Sequence, residues 1–258
     1  MPPLHLLPDR TAGAAENMAV DFLLLQRYPG PAVARFRHYD WRGPAVTFGF
    51  GQKIAFVRAN LPSDETFDLC RRPTGGGIVD HRHDWTYALV LPRGHPLYDE
   101  RATHSYRIVH ECVAGALVAQ GQPAVVTKAE GTTDHGTTDY GTTQPVSADL
   151  RSGSGGASAP PGVCFQRAEL YDVVNRETGA KIAGAAQKRN KHGLLFQGSI
   201  EKTSMGAVDW DEFAAHFTTA LAEAAGAEAV ATPWPELNED EVSGLIEQYS
   251  GPEWVEYR

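Results

Sequence analysis

Residues 71–81 read Arg-Arg-Pro-Thr-Gly-Gly-Gly-Ile-Val-Asp-His, and this stretch decides how the rest of the chain is interpreted. The guanidinium groups of Arg71 and Arg72 can each bind a carboxylate or phosphate through two parallel hydrogen bonds. After Thr74, the run Gly75-Gly76-Gly77 lets main-chain N–H groups approach a ligand because no side chain stands in the way. The stretch therefore predicts a loop that binds a charged small molecule.

The spacing of this loop differs from that of the two common nucleotide-binding motifs. A P-loop ends its glycine run in Lys-Ser or Lys-Thr, and a dinucleotide-binding turn places G-x-G-x-x-G at the start of a helix. Here the glycines lead into Ile78 and Val79, which favour a strand. Taken by itself, the stretch is equally consistent with a flexible surface turn beside two basic residues.

Two further stretches favour the ligand-binding interpretation. Residues 16–21 read Glu-Asn-Met-Ala-Val-Asp, and residues 181–200 contain Lys-Ile-Ala-Gly-Ala-Ala-Gln-Lys-Arg and then Leu-Leu-Phe-Gln-Gly-Ser-Ile. With residues 71–87 they form three blocks whose order and spacing resemble the lipoate and octanoate protein-acyl transferases and ligases, a branch of the biotin/lipoate ligase superfamily. The resemblance extends over about residues 16–200.

The resemblance implies a mixed α/β (α+β) fold with a largely antiparallel sheet flanked by helices, as in a biotin/lipoate protein ligase-like catalytic domain. The chain has 258 residues with 42% apolar content, which suits one domain with a substantial core. We therefore expect residues 1–258 to form a single lipoyl/octanoyl transferase-ligase-like catalytic domain.

Hydrophobic patterns and turn residues predict the helices and strands of this domain. Thr103 is a candidate N-cap and Gly121 a candidate stop for the helix between them. Asp209 and Asn238 have capping-box-like spacing at the starts of two closing helices. A further helix is predicted over residues 16–27. The predicted strands cover residues 32–39, 44–50, 84–91, 171–175, 180–186 and 194–200.

Residues 128–162 have a different composition from the rest of the chain. They consist largely of Thr, Gly, Ser, Asp, Ala and Pro, and they contain an imperfect repeat that begins Gly-Thr-Thr each time. Such a segment has too little apolar surface to form a packed core, which predicts disorder. Because family blocks lie on both sides of it, we interpret it as an insertion within one domain.

Composition argues against several classes of protein. A net charge of −9 disfavours nucleic acid as a partner. No apolar run is long enough to cross a bilayer and the N-terminus has no basic region, so we expect a cytoplasmic protein without a membrane partner. The three cysteines include no C-x-x-C pair, which predicts reduced thiols. His81, His83 and Asp84 lack further candidate ligands, so no metal site is predicted.

Cys164 lies just after the low-complexity segment, in Gly162-Val163-Cys164-Phe165. On residue type alone, a lone cysteine is more often inert core filling. A thiolate nevertheless attacks thioesters readily, which suits the movement of an acyl group between carriers. The region resembles the one that holds the acyl-accepting cysteine in octanoyltransferases, whereas lipoate ligases generally have no cysteine there. The resemblance therefore implies that Cys164 is a catalytic nucleophile.

Lys181 is the second predicted catalytic residue. On sequence alone a strand lysine is more often solvated, but a lysine facing a substrate carbonyl can stabilise developing negative charge. Its match to the family's Lys-Ile-x-Gly-x-Ala-Gln pattern implies the catalytic role. Gly184 and Ala185 leave room for an acyl chain or a close backbone approach, and His81 matches a family position beside the glycine loop that shapes the pocket.

The resemblance implies transfer of an octanoyl or lipoyl group to a lysine of lipoyl carrier domains. The preferred route takes octanoyl from acyl carrier protein through a Cys164 thioester and requires no cofactor. The alternative is a lipoate-protein ligase that uses ATP and Mg to form lipoyl-adenylate, and a third possibility is a non-catalytic acyl- or carrier-binding protein. Expected acceptors are glycine cleavage H protein or the E2 subunits of 2-oxoacid dehydrogenases.

Overall fold

The computed structural model describes residues 1–30, 32–128 and 168–257. Its helices are α1 (Ala14–Gln26), α2 (Ile54–Ala59), α3 (Pro96–Asp99), α4 (Ala102–Ala119), α5 (Trp210–Ala224), α6 (Glu239–Ser250) and α7 (Pro252–Val255). Its strands are β1 (Pro3–Leu6), β2 (Arg10–Ala12), β3 (Ala34–Trp41), β4 (Ala45–Phe48), β5 (Asp68–Arg71), β6 (Ile78–Asp80), β7 (Asp84–Pro92), β8 (Ala124–Val126), β9 (Val173–Asn175), β10 (Lys181–Asn190), β11 (Gly193–Glu201) and β12 (Glu228–Ala231).

A nine-stranded sheet forms the centre of the described part of the chain. Its strands follow the order β12-β1-β3-β7-β11-β10-β9-β8, and β2 pairs with β3 beside this path. The pairs from β3 to β8 along this order are antiparallel, whereas β1 and β2 run parallel to β3 and β12 runs parallel to β1. The expectation of a mixed, largely antiparallel sheet flanked by helices is therefore confirmed.

Helices cover both faces of this sheet. Side chains alternate between the two faces along each strand, so each face presents apolar side chains for a helix to cover. Leu89 of β7 belongs to the core shared with α4 and α5, where Phe36, Tyr87 and Phe217 lie close together. The neighbouring residue Ala88 belongs to the core on the opposite face, shared with α1 and α6. All nine residues of β7 are buried, as expected for a strand with helices on both faces.

A smaller three-stranded sheet, in the order β5-β4-β6, lies beside the central sheet. The glycine loop connects β5 to β6 and packs directly on Gly49, which follows β4. A Cβ atom on Gly49 would lie 2.1 Å from the Gly76 carbonyl oxygen, so only glycine allows this approach. The loop is therefore packed against the sheet and is not a free surface turn.

Two of the predicted N-caps are confirmed, one is wrong, and one predicted strand is shorter than expected. Asp209 accepts hydrogen bonds from the N–H groups of Asp211 and Glu212, and Asn238 accepts one from Glu241, so both act as N-caps. Thr103 is not an N-cap because α4 begins at Ala102 with Arg101 at the cap position. The predicted strand over residues 171–175 is shorter than expected and begins at Val173.

Two sequence predictions fall on residues outside those that the structure describes. The predicted disordered insertion at 128–162 lies beyond the described ranges except for Lys128, and so does Cys164. Across the helices within the described ranges, none combines the length and apolar character that crossing a bilayer requires.

Candidate functional site

A cavity of about 480 Å³, counted to its open mouth, is lined by residues of both sheets and α1. Six predicted site residues line the cavity: Arg72, Gly76, His81, Lys181, Gly184 and Ala185. The other lining residues are Met18, Tyr39, Trp41, Thr47, Val79, Thr86, Ala186, Gln197, Gly198 and Ser199.

Lys181 forms a buried ion pair in the wall of this cavity. Its Nζ lies 2.7 Å from Oδ2 of Asp172, and the two side chains are 6% and 0% exposed. The Asp172 carboxylate also accepts hydrogen bonds from the Glu169 N–H and the Tyr106 hydroxyl, each at 2.7 Å. An ammonium group held so firmly away from bulk water acts more strongly on a nearby charge than it would at the surface.

Gly184 gives the Lys181 ammonium the space that it occupies. A Cβ atom at position 184 would lie 2.7 Å from both Cε and Nζ of Lys181 and 3.3 Å from Oδ1 of Asp172. The two distances to Lys181 are shorter than Cβ contacts in real proteins, so any larger residue would displace the end of the lysine side chain. The absence of a side chain at Gly184 is therefore what allows the Lys181 ammonium to take its position in the ion pair.

His81 belongs to a hydrogen-bonded cluster in another wall of the cavity. Its Nδ1 donates to Oδ2 of Asp84 at 2.7 Å, and its Nε2 lies 2.7 Å from the Thr47 hydroxyl. Thr86 and Ser199 also donate to the same Asp84 oxygen. Burial alone would raise the pKa of Asp84, but the charge of His81 and these hydrogen bonds lower it below its usual value.

The indole ring of Trp41 completes this wall. It stacks on the His81 imidazole with the ring centroids 3.9 Å apart, and its Nε1 donates to the Thr86 hydroxyl at 2.9 Å. His81 is therefore held on one side by Asp84 and on one face by Trp41. Among the described residues, no group of three or more His, Cys, Asp or Glu side chains could hold a metal ion.

The two arginines of the loop make hydrogen bonds within the protein. Arg71 is fully buried and donates to the carbonyls of Phe50, Gln52, Trp254 and Val255. The last two of these bonds tie the loop to α7. Arg72 donates to Thr47 and to the carbonyls of Gly75 and Gly77. Direct ligand binding by these arginines stays a prediction, whereas their part in ordering the loop is observed.

Thr74 links the loop to the central sheet. Its hydroxyl donates to Oε1 of Gln197 at 2.7 Å, and Nε2 of Gln197 donates to Oδ2 of Asp21 at 2.7 Å. The carboxylate of Asp21 in turn pairs with buried Arg37 at 2.6 Å. Thr74 therefore lies at one end of a buried polar chain that reaches α1. Gly75 and Gly77, like Thr74, do not line the cavity in the described structure.

Residue-by-residue sequence reasoning missed Asp172, Tyr106, Gln197 and Thr47. Asp172 and Gln197 carry one detectable signal, since each is a polar residue within an otherwise apolar stretch and buried polar groups need partners. Tyr106 is far from its partners in sequence and lies on a helix whose pattern predicts only core packing. No comparable signal identifies it.

The described cysteines are unsuited to nucleophilic chemistry. Cys70 and Cys112 are both buried and free of disulfide bonds. Burial raises the pKa of Cys112 to about 11 and raises that of Cys70 further, so both are thiols at neutral pH. Cys112 lies on the buried face of α4, where it fills space in the core.

His110 is a fully buried histidine beside the Lys181–Asp172 pair. Its Nδ1 lies 2.6 Å from the Tyr171 carbonyl oxygen, and its ring contacts that of Tyr106. The pKa of His110 is lowered to about 4, chiefly by burial. The hydrogen bond to Tyr171 and the charge of Asp172 act to raise this pKa, whereas the charge of Lys181 lowers it further. The ring is therefore neutral at pH 7 with its proton on Nδ1.

Acid is expected to destabilise the protein through His110. The pKa falls from 6.5 to about 4 on folding, so between these values the unfolded chain binds a proton that the folded chain does not, and stability is lost as pH falls. The loss amounts to about 3 kcal/mol. Urea unfolding at pH 7 and pH 4 should show a smaller loss for His110→Gln than for the wild type. Equal losses in the two proteins would contradict this assignment.

Comparisons with known proteins identify the family of this chain. Residues 13–232 match the model of the lipoyl protein ligase A/B catalytic domain family. The chain is 30% identical over 192 residues to Octanoyltransferase LipM of Bacillus cereus, covering 72% of this chain and 60% of that protein. It is 26% identical to Octanoyltransferase LipM of an Exiguobacterium species, covering 97% of both. The chain thus spans about 60% of the length of the first curated relatives that it matches.

Solved structures show the same fold. A lipoate-protein ligase A bound with ATP superposes with a TM-score of 0.67 at 18% identity over 99% of both chains. A bi-partite lipoate protein ligase from Thermoplasma acidophilum, solved with its E2 lipoyl domain, gives a TM-score of 0.67 at 18% identity over 100% of this chain and 98% of that one. On the family match and these similarities, the chain belongs to the lipoyl protein ligase A/B catalytic domain family.

Proposed function

We propose that this protein transfers an octanoyl group from acyl carrier protein to a lysine of a lipoyl domain, through a thioester on Cys164. The observation that carries the proposal is the Lys181 ammonium, which is fixed by buried Asp172 in the wall of the cavity, next to the small residues Gly184 and Ala185. The names of the curated relatives support octanoyl transfer as the reaction. The E2 lipoyl domain in the archaeal ligase structure supports a lipoyl domain as the acceptor.

The first step of the proposed reaction moves octanoyl onto the enzyme. The Cys164 thiolate attacks the thioester carbonyl of octanoyl-acyl carrier protein, and a new C–S bond forms as the bond to the carrier breaks. Lys181 stabilises the oxyanion that develops on the carbonyl oxygen, and the departing carrier thiolate takes a proton from solvent. An aligned cation of this kind contributes through transition-state charge stabilisation.

The second step moves octanoyl from the enzyme to the acceptor. The neutral ε-amine of the acceptor lysine attacks the Cys164 thioester, so an amide bond forms and the C–S bond breaks. The proton lost by the amine passes to the Cys164 sulfur, which restores the thiol. Both carbonyl additions start from a thioester, so this route needs neither a nucleotide nor a metal ion.

The cavity residues have distinct proposed roles around this chemistry. Gly184 and Ala185 border the acyl group next to Lys181, and His81 with Trp41 forms another wall. The loop that contains Gly76 forms the wall of the cavity next to the smaller sheet. Arg71, Arg72, Thr74, Gly75 and Gly77 order that loop through their internal hydrogen bonds and packing.

An acyl-transfer assay with defined donors tests this function. Octanoyl-acyl carrier protein and an unmodified lipoyl domain are incubated with the enzyme in the absence of nucleotides, and the acceptor is analysed by mass spectrometry. The proposal requires an octanoylated acceptor lysine. A product that forms only from free octanoate or lipoate with Mg-ATP would identify a ligase. No product under either condition would favour a non-catalytic binding protein.

Gly184→Ala is expected to lower the transfer rate about 100-fold, because the added Cβ displaces the Lys181 ammonium and small misplacements cost about this much. The free energy of unfolding should fall by less than in a variant that removes the charge of Lys181, because the displaced ammonium is the end of a flexible side chain and still neutralises Asp172. Gly115→Ala is the matched control because a Cβ there meets nothing within 4 Å. Transfer by Gly184→Ala at the rate of this control would contradict the proposed role of the glycine.

A further inference from the structure

One face of helix α4 contacts residues close to both members of the Lys181–Asp172 ion pair. Tyr106 and His110 lie one helical turn apart on α4, and their ring centroids are 4.2 Å apart. The Tyr106 hydroxyl reaches Asp172 and Ala185, and the His110 ring reaches Tyr171. Neither residue lines the cavity in the described structure, so any effect on the chemistry must pass through these contacts.

The Tyr106 hydroxyl joins the ion pair to the cavity wall. Its oxygen lies 2.7 Å from Oδ1 of Asp172, accepts the Ala185 N–H at 3.0 Å and lies 3.1 Å from the Ala185 carbonyl oxygen. A hydroxyl has one hydrogen, and the carboxylate is the stronger and closer acceptor. The hydroxyl therefore donates to Asp172 while it accepts from the main chain of Ala185.

These contacts occur where strand β9 departs from strand β10. The pairing of the two strands reaches Ala183, which lies opposite Val173, with an irregular register beside it. Along an antiparallel strand, every second residue directs its main-chain N–H and C=O groups toward the same neighbouring strand. Ala185 lies two residues after Ala183, so its main-chain groups point to the side where β9 no longer pairs with β10. Tyr106 satisfies the Ala185 N–H in place of a strand residue. The position of the cavity wall at Ala185 thus depends on this hydroxyl.

His110 holds the turn from which Asp172 projects. Tyr171 has a φ of 67°, in the left-handed region that residues other than glycine adopt at a cost. The His110 Nδ1–H donates to the Tyr171 carbonyl oxygen at 2.6 Å. Asp172 follows directly and is fully buried. The same helix face therefore fixes both the backbone turn before Asp172 and the orientation of its carboxylate.

We propose that Tyr106 is a positioning residue for Lys181, with His110 supporting the turn on which this depends. Through Asp172 and Ala185, the Tyr106 hydroxyl holds the lysine ammonium and the adjacent cavity wall in one fixed arrangement. The proposal rests on the proposed octanoyl transfer, in which this arrangement places the ammonium at the reacting carbonyl. Its functional consequence is a dependence of the acylation rate on a hydroxyl that does not touch substrate.

Tyr106→Phe tests this proposal because it removes the hydroxyl and keeps the ring. Its kcat for octanoyl transfer is expected to fall about 10- to 100-fold with KM changed less than about twofold, since the supporting group acts on the reacting geometry. Tyr98→Phe is the matched control, because the Tyr98 hydroxyl bonds to the Asn190 carbonyl at the other end of β10. The control should retain wild-type kcat.

A second measurement follows Lys181 itself and is independent of the reaction. The folded proteins are acetylated with a water-soluble amine-reactive ester, and the ratio of modification at Lys181 to modification at exposed Lys53 is measured by peptide mass spectrometry. The ratio should rise at least about threefold in Tyr106→Phe and stay unchanged in Tyr98→Phe, because only the first variant releases Asp172. An unchanged ratio together with an unchanged kcat would overturn the proposal.

The two measurements separate failure of the positioning role from failure of the proposed function. If the wild type does not transfer octanoyl, the proposed function fails, and the labelling ratio alone decides whether Tyr106 positions Lys181. If the wild type transfers octanoyl and Tyr106→Phe matches Tyr98→Phe in both measurements, the positioning role fails while the proposed function stands. A lower kcat with equal increases at every lysine would indicate general loosening and also overturn the proposal.

Discussion

Lys181→Met is expected to lower octanoyl transfer at least about 100-fold, the usual cost of removing one group that stabilises a developing oxyanion. The wild-type ammonium lies in the cavity wall and is fixed by Asp172 at 2.7 Å. Methionine retains much of the apolar stem and removes the charge. Octanoylation of a lipoyl domain, followed by mass spectrometry under single-turnover conditions, measures the effect on the chemical steps.

The same substitution is expected to destabilise the fold, and a second substitution separates the two effects. Without Lys181, the Asp172 carboxylate remains fully buried without its counter-charge, which costs about 3–5 kcal/mol. In Lys181→Met/Asp172→Asn the buried charge is gone, so the free energy of unfolding in urea should recover. Transfer should not recover. A double variant that regains activity together with stability would show that Lys181 serves the fold alone.

Cys164→Ser is expected to lower the transfer rate at least about 1,000-fold, because the loss of a covalent nucleophile is among the largest single effects in catalysis. A serine hydroxyl is far less nucleophilic than a thiolate at neutral pH unless a base activates it. Cys112→Ala is the control, since Cys112 is a buried thiol on the core-facing side of α4. Full activity in Cys164→Ser, with turnover that requires ATP, would refute the transferase mechanism.

The architecture was largely accessible from the sequence because local patterns and long-range contacts agree. The Asp209 and Asn238 caps and the largely antiparallel sheet appear as expected. Thr103 failed as an N-cap because α4 begins at Ala102, two residues before the start that a cap at Thr103 would give, and Arg101 takes the cap position. A cap depends on backbone angles that residue type does not determine.

The candidate site was only partly accessible because its geometry depends on contacts between distant segments. Lys181 and Gly184 were identified from one short pattern, and the structure explains their spacing through the ammonium that occupies the space beside Gly184. Arg71 looked like a ligand group, but its donors meet carbonyls of residues 50, 52, 254 and 255. Asp172 and Tyr106 meet across 66 positions in the chain, so neither residue reveals the other.

Intact-mass measurement after incubation with octanoyl-acyl carrier protein tests the central claim most directly. In the absence of nucleotides, the wild type is expected to gain the mass of one octanoyl group, located at Cys164 by peptide mapping and lost when a lipoyl domain is added. The parallel incubation with lipoate and Mg-ATP should give no modified lipoyl domain. No adduct in the first incubation, with an ATP-dependent product in the second, would contradict the thioester mechanism.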